Sequence, residues 1–518
     1  MGHSKGRILG LALVVAVIAA VLAWGAAAAQ EPKEGGTPED LALLHVACDS
    51  IAEAATDFGE IAGLQEADGR TEAARETVEE QKALIGVLSR TAARLKKEAD
   101  GLTKQAAALA ETDPAKAKAM LDRWSQVTAL QKRLEKKLAA AKPKPEEDEW
   151  GEADPPGADV PSRKWAKLGR SSSRAVRAGL GWLRDHQDED GGWDCDNFMK
   201  HDKVPPVNDG AGQALYDPGI SGLALLAFLG MDQTPTHGEH RTTMRKGLKY
   251  LKGIQAEDGC FGPMTDGHFT YNHAIATLAM VEAYGETGAP HLGQSAQLGV
   301  DFIRKAQNPY LAWRYGVRPQ DNDTSVTGWM VSALFAAKRS GLRVSQETFD
   351  GARAWIEKAT NPETGRVGYT ARDTGPARPE GMLDRWPPDK SAALTAIGIL
   401  TRVHCGEDPR KSAIIGKSAE RCLKRLPVWD MSEGTIDHYY WYFGTRAMYE
   451  VGGRSWKKWQ KAIVAAVIDH QRMDPVSYKG SWDPAGPWGA SGGRVYSTAL
   501  CTLLLETPVR TRILGSWK

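Results

Sequence analysis

The sequence predicts an all-α protein whose main body is a single α/α toroid of six helical hairpins. Three observations carry this. From residue 164 onward a unit of outer helix, turn and inner helix recurs six times, roughly every 55 residues. Each outer helix is amphipathic and closes on a Gln or a substitute, a turn, then Gly and an aromatic residue. Each inner helix carries small or apolar side chains on most faces, as a helix buried all round must.

The outer-helix ends read WLRDHQDEDGGWD at 182–194, YLKGIQAEDGCFG at 250–262 and FIRKAQNPYLAWRYG at 302–316. WIEKATNPETGRVGYT at 355–370 is a degenerate copy, and VIDHQRMDPVSYKGSWD at 467–483 closes the series. The inner segments open at Tyr216, Tyr271, Asn322, Asp389, Asp437 and Gly492. Asp217, Asn272, Asp323, Asp389 and Asp437 stand where N-caps are expected, since a short carboxylate or amide accepts bonds from orphan helix N–H groups. Six hairpins of this kind close into a ring with the inner helices lining the middle.

The acids of 182–194 look at first like a metal site. Their echoes say otherwise: Gln187, Gly192 and Trp193 are the recurrent parts, while the acids vary from copy to copy. A calcium loop would need an acid where His186 stands and a Glu where Asn197 stands. The stretch reads as a solvated joint, with no metal and no cofactor expected.

Ahead of the toroid (164–510) lie three segments. Residues 1–30 carry Lys5 and Arg7, an apolar run from Ile8 to Trp24, and Ala27–Ala29, the pattern of a signal peptide. The apolar run, about 22 residues through Ala29, also approaches the ~20 that span a bilayer. A cleaved signal or a transmembrane anchor both place the rest outside the cytoplasm, as a periplasmic or secreted chain. Residues 38–140 repeat Leu88, Leu95, Leu102 and Leu109 at heptad spacing beside Ile85, Ala92, Ala99 and Ala106. A Thr112-Asp113-Pro114 helix start precedes a second stripe of Met120, Trp124, Val127, Leu134 and Leu138, which gives a helical hairpin or a coiled coil that self-associates. Residues 141–163 are Pro-rich and acidic, a linker. The formal net charge of +1 gives no nucleic-acid signal. Six cysteines without CxxC allow 15 disulfide pairings, and sequence does not choose among them.

The Gln…Gly-x-Trp endings resemble the QW repeat of squalene/hopene and oxidosqualene cyclases, whose ring is shared with protein prenyltransferase β subunits. Gln187 with Trp193, and Gln471 with Trp482, match best; Gln255 and Gln307 follow. DTSVTGWM, DHYYWYFGT and GSWDPAG…GGRVYSTAL are similar to exported bacterial squalene-cyclase-repeat proteins of unassigned function. The resemblance implies structural roles for Gln187, Trp193, Gln255, Gln307 and Gln471.

It also names chemistry to test. Cyclases protonate an alkene with the middle Asp of DxDD. Here Asp321-Asn322-Asp323 leaves Asn322 at the acid position, and Asp321 or Asp323 are the remaining candidates. A prenyltransferase zinc set is not met: Asp194-Cys195-Asp196 has the wrong spacing, and Tyr440 stands where the zinc His belongs. Aromatic residues gather toward one end of the ring. Trp313, Tyr315, Trp329, Tyr440, Trp441, Trp482 and Tyr496, with Arg494, are candidate ligand-cavity residues, and His273, Asp321 and Asp373 add polar groups. Neighbours on a helix point about 100° apart, so the run Tyr439–Tyr442 must divide between cavity and packing.

The function expected is a binding or scaffolding toroid for a hydrophobic or peptide-like ligand, without cyclase chemistry. A lipid, an isoprenoid or an envelope protein is the partner this implies. An isoprenoid-acting enzyme and a carbohydrate-active toroid are the alternatives.

Overall fold

The structure, a computed structural model, describes residues 91, 95, 99–109, 112–141, 164–265 and 267–510. The expected signal or anchor, the hairpin residues 38–90 and linker residues 142–163 lie outside the described residues. No helix among the described residues is long and apolar enough to cross a membrane. The chain divides into two compact units, Met1–Gly151 and Glu152–Lys518.

In the first unit, helical backbone at 99–109 is followed by α1 (Pro114–Ala141). Asp113 starts α1, its Oδ1 accepting from the Lys116 N–H at 3.0 Å. Leu95, Ala99 and Ala106 are buried before the break, and Ala117, Val127 and Leu130 after it. Of the expected apolar stripe, Val127 is buried and Trp124 is 39% exposed.

The second unit opens with the short α2 (Lys164–Lys167). Six outer–inner pairs follow in chain order: α3 (Arg170–Asp185) with α4 (Asp217–Gly230), α5 (Arg241–Gly253) with α6 (Phe269–Thr287), and α7 (Pro290–Ala306) with α8 (Thr324–Arg339). Then come α9 (Gln346–Ala359) with α10 (Ala393–His404), α11 (Ala413–Leu423) with α12 (His438–Val451), and α13 (Gly453–Ile468) with α14 (Gly489–Glu506). Apart from short 3₁₀ turns and two isolated β-bridges, the regular structure among the described residues is α-helical.

Ring closure is explicit in the packing. Inner helices touch in the order α4, α6, α8, α10, α12, α14, and α14 touches α4 again. They run parallel: Gly219 near the start of α4 meets Asn272 near the start of α6, and Gly328 of α8 meets Ile397 of α10. Connections from inner to outer helices are short, only Gly288–Ala289 between α6 and α7 and Gly452 between α12 and α13, so the outer helices run the opposite way. The N-terminal ends of the inner helices therefore share one end of the ring, the mouth.

One device holds successive outer helices. The side-chain amides of Gln187, Gln255, Gln307 and Gln471 each donate two hydrogen bonds of 2.7–3.1 Å. One goes to the glutamine's own turn, at Gly191, Gly259, Leu311 or Gly480. The other reaches a carbonyl of the next outer helix, at Thr243, Ser295, Thr348 or Ala175. A primary amide has two N–H donors, which is what two orphan carbonyls require. In the degenerate copy Ser418 of α11 supplies the link from the other side, donating to the Gly365 carbonyl at 2.7 Å. The turn glycines are fixed by close approach: a Cβ on Gly191, Gly259 or Gly480 would lie 2.2 Å from a carbonyl oxygen of the next outer helix.

The aromatic after the turn folds back. Trp193, Trp313 and Trp482 donate their indole N–H to Leu183, Ile303 and Val467, in the last turns of their own outer helices, at 2.7–2.8 Å.

Two expected caps hold: Asp323 accepts from Val326 N–H at 2.7 Å and Asp437 from Tyr440 N–H at 2.9 Å. Three do other work. Asp217 is already inside α4 and accepts the Cys195 N–H at 2.9 Å. Asn272 lies within α6, because that helix begins earlier, at Phe269; its amide bridges Leu215 O and Gly219 N of the neighbouring segment. Asp389 sits in a 3₁₀ turn ahead of α10. The five described cysteines are free; Cys48 lies outside the described residues.

Candidate functional site

Side chains of the inner helices make contacts in three layers along the ring, and the outermost forms the mouth. There Ser325, one residue into α8, ties three inner helices together. It accepts from Tyr271 OH of α6 at 3.0 Å and lies 2.6 Å from Tyr439 OH of α12. Beside it the hydroxyls of Tyr315 and Tyr369 meet at 2.7 Å. These four tyrosines are half-buried, with rings at the surface of the mouth and hydroxyls tied together. Burial raises the hydroxyl pKa of Tyr271, Tyr369 and Tyr439 far above the usual phenol range, so they stay neutral. His268 stands between Tyr216 and Tyr315, at ring distances of 5.8 and 5.5 Å, and Trp488 lies 6.3 Å from Tyr439. The result is an aromatic crown with polar tips.

Charges at the mouth are mostly paired. Asp321 is 55% exposed and bound to Arg314, whose guanidinium stands 5.5 and 5.8 Å from the Tyr315 and Tyr369 rings. Asp437 is buried and paired to Arg378 at 3.1 Å. Asp323 differs. Its side chain is fully buried, Oδ1 caps α8, and Oδ2 is without a hydrogen-bond partner. The Nε of Arg314, also without a hydrogen-bond partner, is 3.9 Å away. Burial pushes the Asp323 carboxyl up to about 7, against the cap bonds and Arg314, which favour ionisation. Asn322 is a turn-holder: its Oδ1 accepts from Ala312 N–H at 2.9 Å and from the Asn308 amide at 3.1 Å.

Below the crown, the second layer is aromatic. Trp329 of α8 stacks on Tyr442 of α12 at 5.1 Å and 17°, and meets Phe443 edge-on at 5.0 Å. These contacts reach from α8 to α12 past α10, and all three side chains are buried. The third layer is polar: Arg446 donates to Tyr442 OH at 3.0 Å, and Arg510 pairs with Glu282 at 2.6 Å and Glu506 at 3.5 Å.

The candidate cavity residues thus separate. Tyr315 lies in the crown, Trp329 in the buried layer beneath it. Tyr496 is buried in α14, its hydroxyl without a partner. Trp313 and Trp482 are buried in ring packing through the indole bonds above. Tyr440 turns outward, its hydroxyl donating to Cys422 O at 3.1 Å and Arg425 O at 2.9 Å, and Trp441 packs against His438 and Trp429. Arg494 is 1% exposed and binds Asp209 and Asp483, a strut between chain segments rather than a ligand contact. His273 is fully buried, accepting from Phe261 N–H at 3.1 Å, and burial pushes its pKa down to about 3. Asp373 accepts from Asn361 at 3.0 Å on the surface.

Sequence reasoning missed Tyr271, Ser325, Arg314 and Tyr369 as mouth residues, while Trp488 belongs to the aromatic group it placed at one end of the ring. A tyrosine opening the inner segments at Tyr216 and Tyr271 was the available signal. The acid-rich turn is ion-paired: Asp188 binds Lys200 at 2.7 Å and His201 at 2.6 Å, and Asp194 binds Lys200 at 2.8 Å.

No protein-family model matches the chain, and no curated protein does. Solved structures give low-identity likenesses. An inactive variant of the alpha-1,6-mannanase GH76A of Salegentibacter sp. HEL1_6, in complex with alpha-1,6-mannotriose, is 10% identical, with TM-score 0.43 over 66% of this chain and 99% of that one. The type II terpene cyclase MstE from Scytonema is 12% identical, with TM-score 0.43 over 66% and 99%. The Lin0763 protein from Listeria innocua is 13% identical, with TM-score 0.42 over 68% and 100%.

Proposed function

We propose that the toroid is a binding module whose tyrosine-lined mouth takes an amphipathic, peptide-like ligand. The observation that carries this is the crown itself: partly exposed tyrosines whose hydroxyls are already tied to one another. Such a surface offers flat apolar contact with polar tips and little conformational entropy to lose. Arg314, paired with Asp321, adds a guanidinium plane at the rim. The buried contacts of Trp329 with Tyr442 and Phe443 beneath the crown take up space that a polyene would need. Glycoside cleavage calls for two working carboxyl groups; here Asp321 and Asp437 are each held by an arginine. We also infer that the hairpins are of the squalene-cyclase repeat type, which the shared glutamine geometry supports.

The test is intrinsic tryptophan fluorescence of the full chain titrated with aromatic-rich peptides, with squalene in vesicles and with oligosaccharides. The peptides are expected to saturate the signal, and Tyr439→Ala is expected to weaken them at least ~10-fold. Saturation by squalene or oligosaccharide alone would reject the reading.

A second reading attaches to Asp323. A buried carboxyl with its pKa near 7 can exchange a proton at neutral pH. Turnover of an isoprenoid that disappears in Asp323→Asn, with the fold retained, would establish it.

A further inference from the structure

We propose that a basic belt on the outer wall, at the end of the ring opposite the mouth, docks the toroid on an anionic phospholipid surface. Charge is distributed very unevenly around the ring. Helices α13, α3 and α5 read GRSWKKWQKAIVAAVI, RSSSRAVRAGLGWLRD and RTTMRKGLKYLKG, with thirteen basic side chains and one acid, Asp185. On the other side α9 sets Glu347, Asp350 and Glu357 against Arg353 and Lys358. The chain as a whole carries only +1, so composition hides this asymmetry.

The three basic helices are neighbours. Helix α13 packs on α3, Gln471 bonds to Ala175 of α3, and Gln187 at the end of α3 bonds to Thr243 of α5. All outer helices run the same way, so their N-terminal halves share one level. Arg170, Arg174, Lys457 and Lys458 lie there, all exposed. The nearby acids are already engaged, Asp232 by Lys164 at 2.5 Å and Glu239 by Arg177 at 3.5 Å.

Two tryptophans sit at the same level. Trp165 of α2 is half-buried under the Arg177 guanidinium, 3.9 Å from its ring, and Trp456 is half-buried in the first turn of α13. A shallow depression beside Trp165 is lined by Arg170, Ser173, Arg174 and Arg177. Tryptophan beside arginine and lysine is the composition of a membrane–water interface, where ring and headgroup phosphate are met together. A nucleic acid would use the cations and leave the tryptophans idle on a convex wall. The chain also enters the toroid at this end through α2, downstream of the apolar run Ile8–Trp24. The proposal does not depend on what the mouth binds.

The test is co-sedimentation of the full chain with vesicles of phosphatidylcholine alone and of phosphatidylcholine with phosphatidylglycerol, read as the ratio of the two partition coefficients. The ratio removes any lipid-independent contribution of the apolar run. The wild type is expected to prefer the anionic vesicles at least ~10-fold at low salt, and to lose the preference as salt rises. Joint Arg170→Glu, Arg174→Glu, Lys457→Glu and Lys458→Glu should bring the ratio to about one. The four Gln substitutions, gentler on the helices, should lower it in the same direction. Arg353→Glu with Lys358→Glu should leave it unchanged. A wild type without anionic preference, or a charge-reversed variant that keeps it, overturns the proposal. So does tighter binding to duplex DNA than to anionic vesicles through the same four residues.

Discussion

The amide of Gln471, in the turn after the last outer helix, donates to the carbonyl oxygen of Ala175 in the first outer helix at 2.8 Å. This bond is the fourth copy of a link that runs around the outer wall, and it is the copy that joins the two ends of the toroid. Gln471→Ala removes two donors and leaves the carbonyls of Ala175 and Gly480 without them. A loss of about 2 kcal/mol is expected in urea unfolding. Gln471→Glu is expected to lose at least as much at neutral pH, because a carboxylate would face two carbonyl oxygens.

The turn glycines separate two costs. Gly288 and Gly480 both have positive φ, but a Cβ on Gly288 meets nothing within 4 Å, whereas one on Gly480 lies 2.2 Å from Ala178 O. Gly288→Ala is expected to cost about 1 kcal/mol, from backbone strain alone. Gly480→Ala adds a steric conflict between successive outer helices and is expected to cost at least about 2 kcal/mol more. Thermal unfolding of the pair checks the difference.

Asp323 should give stability a specific pH dependence. Its folded pKa of about 7 is raised by burial, while an unfolded Asp ionises near ~3.9. The folded chain therefore keeps a proton that the unfolded chain loses between those values. The stability from this group is complete below about pH 4, declines as pH rises through the window, and levels above about pH 7. Asp323→Asn keeps a capping oxygen for Val326 N–H and cannot titrate. Its stability relative to wild type is expected to rise from pH 4 to pH 7. A flat difference across that range would show that Asp323 titrates normally.

The layer beneath the crown is expected to be structural. Trp329→Ala removes the contacts with Tyr442 and Phe443, and about 3–5 kcal/mol of stability should be lost. Tyr440→Phe breaks only the hydroxyl bonds to Cys422 O and Arg425 O, so about 1 kcal/mol is expected, with no effect on ligand binding.

The ring was legible because its signals are local. All six inner segments were set apart by small or apolar residues on most faces, and the outer ones by amphipathic period and a Gln-turn-aromatic ending. The mouth was legible only in part. Periodicity says that Tyr439 and Tyr442 share a face and that Tyr440 and Trp441 do not, but the inward direction depends on ring closure. Trp329 meeting Tyr442 across α10, and Arg494 reaching Asp209, depend on distant segments brought together by the closed ring. Asn272 misled for a related reason: packing of α4 against α6 gave its amide better partners than its own helix end. The buried, uncompensated oxygen of Asp323 has no sequence signature beyond that of an ordinary cap.

Native mass spectrometry of the full chain, purified gently from the cells that make it, tests the central claim most directly. Wild type is expected to carry an amphipathic, peptide-like ligand, and the Tyr315→Ala, Tyr439→Ala double variant is expected to lose it while keeping its unfolding midpoint within a few degrees. A wild type that carries nothing, or a double variant that retains the same ligand, would contradict the account.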